Sequence, residues 1–150
     1  MSLFVQSRKL LDLIVEEIGD APERRYVSDG QPVIDCEQLT VHPQLMTRGT
    51  TRQQRPLSQA GPTTITLVVT RSWPTQVAQR SGLPSLQQME DSGRKLTDGG
   101  EQLWLATSKA VNRMDCNGSV DQAQSLGAVG GFAGWQITVR MTMLPKDARL

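Results

Sequence analysis

The chain predicts an α+β domain: a mixed or antiparallel sheet of about four strands, with an N-terminal helix and a long central helix packed on it. Three observations carry this. From Leu86 to Met114 apolar or small residues recur at three-then-four spacing, the repeat of one helix face about eight turns long. Thr63 to Arg71 and Trp135 to Met143 alternate apolar with polar residues, the period of half-buried strands. Strands adjacent in sequence, without tight helix–strand alternation, favour antiparallel neighbours with both helices on one face.

Leu3 to Ile18 places Leu3, Leu10, Leu11, Ile14, Val15 and Ile18 on one broad stripe opposite Arg8, Lys9, Asp12 and Glu16, with Gly19 and Pro22 as the stop. Asp29, Gly30 and Pro32 mark a turn. Val33 to Met46 reads as extended; Ile34 and Cys36 share one parity and Leu39 and Val41 the other, which predicts a bulge near Glu37 and Gln38. Residues 47–62 carry Gly49, Pro56, Gly61 and Pro62 without periodicity and read as a long loop, a length usually found in functional or mobile segments. In Thr63 to Arg71, Ile65, Leu67 and Val69 face one way and Thr64, Thr66 and Thr70 the other, with Val68 the exception; Trp73-Pro74 ends the strand.

Ser85 followed by Gln88 has the form of a capping box opening the long helix. Its weak points are Gly93, Gly99 and Gly100, which together cost about 3 kcal/mol relative to alanine. Burying Leu86, Met89, Leu96, Leu103, Trp104, Val111 and Met114 contributes a gross ~10–20 kcal/mol, so the helix is expected to hold. The run Thr97-Asp98-Gly99-Gly100 could still kink it, or split it with Asp98 capping the second half. Asn117-Gly118 ends the helix, Gly127 to Gly134 is a glycine-rich approach to the last strand, and residues 145–150 form a short polar tail.

One domain accounts for 150 residues, and 16 Lys and Arg against 15 Asp and Glu leave a net charge of +1. That balance provides neither a nucleic-acid footprint nor a polybasic membrane signal. The longest basic cluster is Arg48, Arg52 and Arg55, in a stretch rich in Thr, Gln and Gly: a solvated loop, or one ordered by a neighbouring subunit or facing passing DNA. No apolar run approaches the ~20 residues of a membrane helix. Asp12, Glu16 and Glu17 interrupt what would be the apolar core of a signal peptide, so cytosolic synthesis is expected. Cys36 and Cys116 lack the clustering of a zinc site or a disulfide scaffold and are expected to be reduced.

No catalytic, cofactor or metal site is expected. His42 is the single histidine, and nothing local supplies a nucleophile elbow or a paired acid. The doublets Glu16-Glu17 and Glu90-Asp91 lie on predicted helices, where adjacent side chains point apart, and read as solvated faces. Asp98 and Glu101 share a spacing but lack further ligands. Gly127, Gly130, Gly131 and Gly134 precede a strand, whereas a phosphate loop follows one and opens a helix, so tight turns or close contact with a neighbouring subunit explain them better. Trp104 and Trp135 read as core or subunit-interface anchors.

In order and spacing, several runs resemble one family. They are Arg25-Tyr26-Val27-Ser28-Asp29-Gly30 after an N-terminal helix, Asp35 to Val41, Thr66 to Arg71 ending in Trp73-Pro74, Asp98-Gly99 with Leu103-Trp104, and Gly130-Gly131-Phe132-Ala133-Gly134-Trp135. The chain resembles the tail terminator proteins of long-tailed, non-contractile bacteriophages, particularly those of actinobacterial hosts. That resemblance implies a non-enzymatic virion protein, made in the host cytoplasm, which forms a homo-hexameric ring on the last ring of tail tube protein. Such a ring ends tube growth and presents a surface to the head-completion or stopper protein, and DNA passes through its lumen without sequence-specific binding. Another head-to-tail connector component, an adaptor or stopper, or a minor capsid protein is the alternative. Subunit contacts are expected at Arg48, Arg52 and Arg55, at Gly130, Gly131, Phe132 and Trp135, and in the C-terminal tail.

Overall fold

A computed structural model describes residues 2–48, 63–75 and 84–143. Helix α1 (Leu3–Ile18) is followed by strands β1 (Arg25–Val27), β2 (Gln38–Arg48) and β3 (Thr63–Pro74), helix α2 (Leu86–Asn112), and strands β4 (Asn117–Val129) and β5 (Phe132–Met143). The five strands form one sheet in the order β1-β2-β3-β5-β4, with β1 parallel to β2 and every other pairing antiparallel. The α+β class with an N-terminal and a long central helix is as expected, but the sheet has five strands, not four.

Both helices lie on one face. Leu39 and Val41 of β2, Ile65, Leu67 and Val69 of β3, and Ile137, Val139 and Met141 of β5 share that parity. They pack against Leu10, Leu11 and Ile14 of α1, Leu103, Ala110 and Val111 of α2, and Met114 just beyond it. Ser2 caps α1 through its hydroxyl to the Val5 amide, and Gly19 closes it at φ 69°, a left-handed turn that favours glycine. The helices meet antiparallel: Lys9 reaches Asp115, while Arg113 binds Glu16 at 2.8 Å and Glu17 at 3.0 Å. Glu16-Glu17 therefore converges on one guanidinium instead of forming two separately solvated faces, because Arg113 is long enough to reach both.

The capping box at Ser85 and Gln88 is present, and α2 is continuous through Asp98. Neither the kink nor the split occurs, and the reason lies in its glycines. A Cβ on Gly99 would stand 2.8 Å from Trp73 Cζ2, and one on Gly100 would stand 2.5 Å from Trp135 Nε1. Two indoles from adjacent strands thus seat directly on the helix backbone, and Trp135 Nε1 donates to the Leu96 carbonyl at 2.9 Å. The glycines cost helix propensity and return close packing.

Burial of the apolar stripe is confined to the second half of α2. Leu103, Ala110, Val111 and Met114 are buried, but Leu86 is 82% and Met89 55% exposed. The expectation that those two join the core fails: the first turns of α2 lie beside Pro74 and Thr75 at the end of β3, where Ser92 and Thr75 share a hydrogen bond at 2.7 Å, and not over the apolar face.

Other departures concern strands. β2 starts at Gln38, so Ile34 and Cys36 precede it, and its bulge falls between Pro43 and Leu45 instead of near Glu37. Proline at 43 lacks the amide that regular pairing would use there. β4 occupies the stretch expected to be an irregular connection. It is an edge strand, mostly exposed, with register shifts at Val120/Gln122 and Leu126/Val129 that destroy any simple alternation. β1 is three residues long and too short to show a period.

The glycines predict opposite outcomes. Gly100→Ala is expected to destabilise the fold by about 1–3 kcal/mol through overpacking against Trp135. Gly93→Ala, with nothing within 4 Å of its Cβ, is expected to stabilise it by about 0.5–1 kcal/mol. Denaturant midpoints of the two variants measure both.

Candidate functional site

The residues expected at subunit contacts fall at opposite ends of the sheet. Arg48 ends β2 opposite Thr63, which in turn faces Met143. Arg52, Arg55 and the C-terminal tail 145–150 lie outside the described residues. At the other end, Gly130 and Gly131 form the β4–β5 turn at φ 58° and 88°, a two-residue hairpin whose backbone glycine adopts most readily. The Gly131 carbonyl accepts from the Thr75 amide at 2.8 Å. Phe132 is half-buried and pairs with Pro74. Twelve residues of β3 separate the two ends, about 40 Å at the usual strand rise. The fold therefore creates two groups, not one.

Trp135, at the turn end, is engaged within its own subunit: its indole N–H is bound to Leu96 and its ring lies on Gly100. Trp104 is half-buried and packs against the core. Their geometry is that of anchors holding α2 to the sheet.

Sequence reasoning missed the cluster built around Arg71. This residue has the parity of Leu67 and Val69 yet is a cation only 2% exposed. Its guanidinium lies 4.6 Å from the Trp73 ring centroid, with Nη1 donating to the Ser72 carbonyl at 2.5 Å and Nη2 to Glu37 Oε1 at 3.1 Å. Ser72 Oγ donates to the Cys36 carbonyl at 2.5 Å, and Gln38 Nε2 to the Val33 carbonyl at 3.0 Å. Gln38 Oε1 accepts from Arg24 Nε and Tyr26 Oη. These bonds fasten the segment 28–37 around the turn end of the sheet. A charge at a position whose period says core was the available signal.

Cys36 belongs to this cluster, half-buried, with its thiol donating to Gln38 Oε1 at 3.3 Å. Burial is the main influence raising its pKa, followed by the hydrogen bond with Asp35, so the sulfur is held as the thiol, the less nucleophilic form. Among the described residues no group of three or more His, Cys, Asp or Glu side chains could hold a metal ion. No described helix is long and apolar enough to cross a membrane.

The face of the sheet away from the helices is rich in Thr and Gln. Its β4 side, with Ser119, Gln122 and Gln124, is exposed, whereas Thr40, His42, Thr66, Val68 and Thr70 are buried. Thr40 Oγ1, Thr70 Oγ1 and His42 Nδ1 have no hydrogen-bond partner among the described residues. Thr40 and Thr70 are direct cross-strand partners, and His42 pairs with Val68. Among the described residues no carboxylate bonds His42 Nδ1 to orient it as a general base.

No protein-family model matches the chain, and no curated protein matches its sequence.

His42 makes a pH prediction. Burial disfavours the imidazolium and lowers its pKa from the ordinary value of about 6.5. As pH falls through that value, the unfolded chain takes up a proton that the folded chain refuses, so stability drops until the folded protein also protonates. His42→Gln is expected to flatten the loss of stability between about pH 7.5 and pH 5.5, read as the change in urea midpoint over that interval.

Proposed function

We propose that the chain is a non-enzymatic structural subunit of a phage tail. It assembles as a hexameric ring on the end of the tail tube, ends tube polymerisation and joins the tail to the head-completion or stopper protein. The observation that supports this reading best is the separation of the two candidate contact groups. A terminator must offer one surface to the tube and a different one to the neck, and a sheet with Arg48 at one end and Gly130-Gly131 at the other holds two unlike surfaces about 40 Å apart. In the ring, the exposed β4 side of the polar face, with Ser119, Gln122 and Gln124, is free to meet a neighbour or the lumen, where a polar lining lets DNA pass without binding it. The virion's head–tail junction is the corresponding location, and no cofactor is needed, because the mechanism is surface matching.

Phage in which this chain is not produced are expected to make overlong tail tubes, seen by negative-stain electron microscopy. Tails of normal length beside heads that have lost DNA would instead assign the chain to the stopper, and normal infectious particles would remove it from the neck altogether. Deleting residues 48–55 is expected to lower both ring yield and infectious titre; unchanged values would exclude that loop from the mechanism.

A further inference from the structure

The sheet face away from the helices is closed over β2 and β3. Thr40 and Thr70 are fully buried, and Val68 and His42 are only 1% and 4% exposed. Strand pairing sets these residues at the corners of one cell, Thr40 opposite Thr70 and His42 opposite Val68, and Gln136 of β5 continues the row of Thr40 and Thr70. Segment 28–37 crosses that row. The Ser28 amide donates to the Val41 carbonyl of β2. Three residues later Gln31 Oε1 accepts from Gln136 Nε2, two strands away, and the Cys36 carbonyl then accepts from Ser72 Oγ on β3. Gln136 and Ser72 alternate with core residues and so point away from the helices. A segment that touches β2, then β5, then β3 on this face passes above Thr40 and Thr70, and Pro32, midway along it, is buried.

The segment covers the face without answering its polar groups. Thr40 Oγ1, Thr70 Oγ1 and His42 Nδ1 are buried and have no hydrogen-bond partner among the described residues. The side chains that could have served them are engaged elsewhere. Ser28 Oγ turns onto the Gly30 carbonyl and amide, Gln31 binds Gln136, and Gln38 meets Arg24, Tyr26, Cys36 and the Val33 carbonyl. Buried hydroxyls and ring nitrogens left alone are costly, and in folded proteins nearly all are satisfied by protein or by ordered water. Directly opposed side chains in a sheet have Cβ atoms about 4.5–5.5 Å apart, and diagonal ones about 7–8 Å. Their polar atoms stand one or two bonds further in, a span that one small molecule bridges with hydrogen bonds of about 2.8 Å on either side. The bridge must both donate and accept, since hydroxyls do both and a neutral imidazole nitrogen does either. No carboxylate bonds these atoms among the described residues, so the donor set suits a neutral molecule and not a cation.

We infer that Thr40, Thr70 and His42 bind one or two internal water molecules, held between the sheet and segment 28–37. One bridges the two threonine hydroxyls, and the chain of hydrogen bonds continues to His42 Nδ1. The segment is thus fastened at its ends by protein, through Gln136, Ser72 and the Glu37–Arg71 pair, and lies in its middle over bound solvent. The site does not rest on the ring reading.

The test is a crystal structure of the purified full-length chain, at diffraction fine enough to show ordered solvent. Solvent peaks are expected within about 3.2 Å of Thr40 Oγ1, Thr70 Oγ1 and His42 Nδ1. Thr70→Ser is expected to keep the peak shared with Thr40. Thr70→Val, which has the same shape without the hydroxyl, is expected to lose it with segment 28–37 still in place. Hydroxyls turned onto backbone carbonyls with no solvent beside them, or a shared peak unchanged in Thr70→Val, overturn the site. Urea midpoints read the same sharing in solution. Thr40→Val and Thr70→Val are each expected to lower the midpoint by orphaning the other hydroxyl, and the double variant is expected to fall no lower than either. Losses that add, or no loss in either single variant, overturn it.

Discussion

Seating two tryptophans on a glycine pair governs how this molecule is put together. Trp73 closes β3 and Trp135 opens the core-facing run of β5, and both rings rest on α2 at Gly99 and Gly100, where any side chain would push them away. The indole N–H of Trp135 bound to the Leu96 carbonyl fixes the helix in position along its axis. The buried residues of α2 all lie C-terminal to that contact, whereas N-terminal to it Leu86 and Met89 are exposed and Ser92 shares a hydrogen bond with Thr75 at 2.7 Å. The same clamp that makes the core therefore leaves Leu86 and Met89 in solvent.

Around the clamp the sheet divides its labour by face and by end. One face is apolar and carries both helices; the other is polar, with threonine hydroxyls and the His42 imidazole buried toward β2 and β3, and open toward β4. The turn end carries Arg71, whose guanidinium meets Glu37, a carbonyl and an indole face, with its Nε unpaired among the described residues. Breaking such a buried network costs more than the network adds over an apolar core, so its role is to specify position. Here that position is the segment 28–37 against the strand ends. A rigid sheet with a fastened turn end suits a part whose proposed work is to match neighbours, since a loose surface would lose affinity to ordering entropy.

Much of this could be read along the chain. Helix α1 and its glycine cap, the capping box of α2, the alternating core of β3 and β5, and the proline that ends β3 all follow from local rules: a side-chain period, a hydroxyl three residues before an amide acceptor, a residue without an N–H. Those signals survive because each depends on neighbours within one or two turns. β4 was invisible for the complementary reason. An exposed edge strand with two register shifts needs no alternation, and its pairing with β5 supplies all its order.

The candidate contacts divide the same way. Composition and turn chemistry singled out Gly130 and Gly131, and the positive φ angles show why glycine stands there. Whether Trp135 faces a neighbour or its own helix depends on where residue 100 lies, 35 positions earlier in the chain, which no local pattern encodes. Leu86 and Met89 carry an unbroken apolar period that promises burial, yet a period states only which residues share a side of a helix. What stands opposite that side is decided by tertiary packing, and the core cluster takes its α2 residues from Leu103 onward.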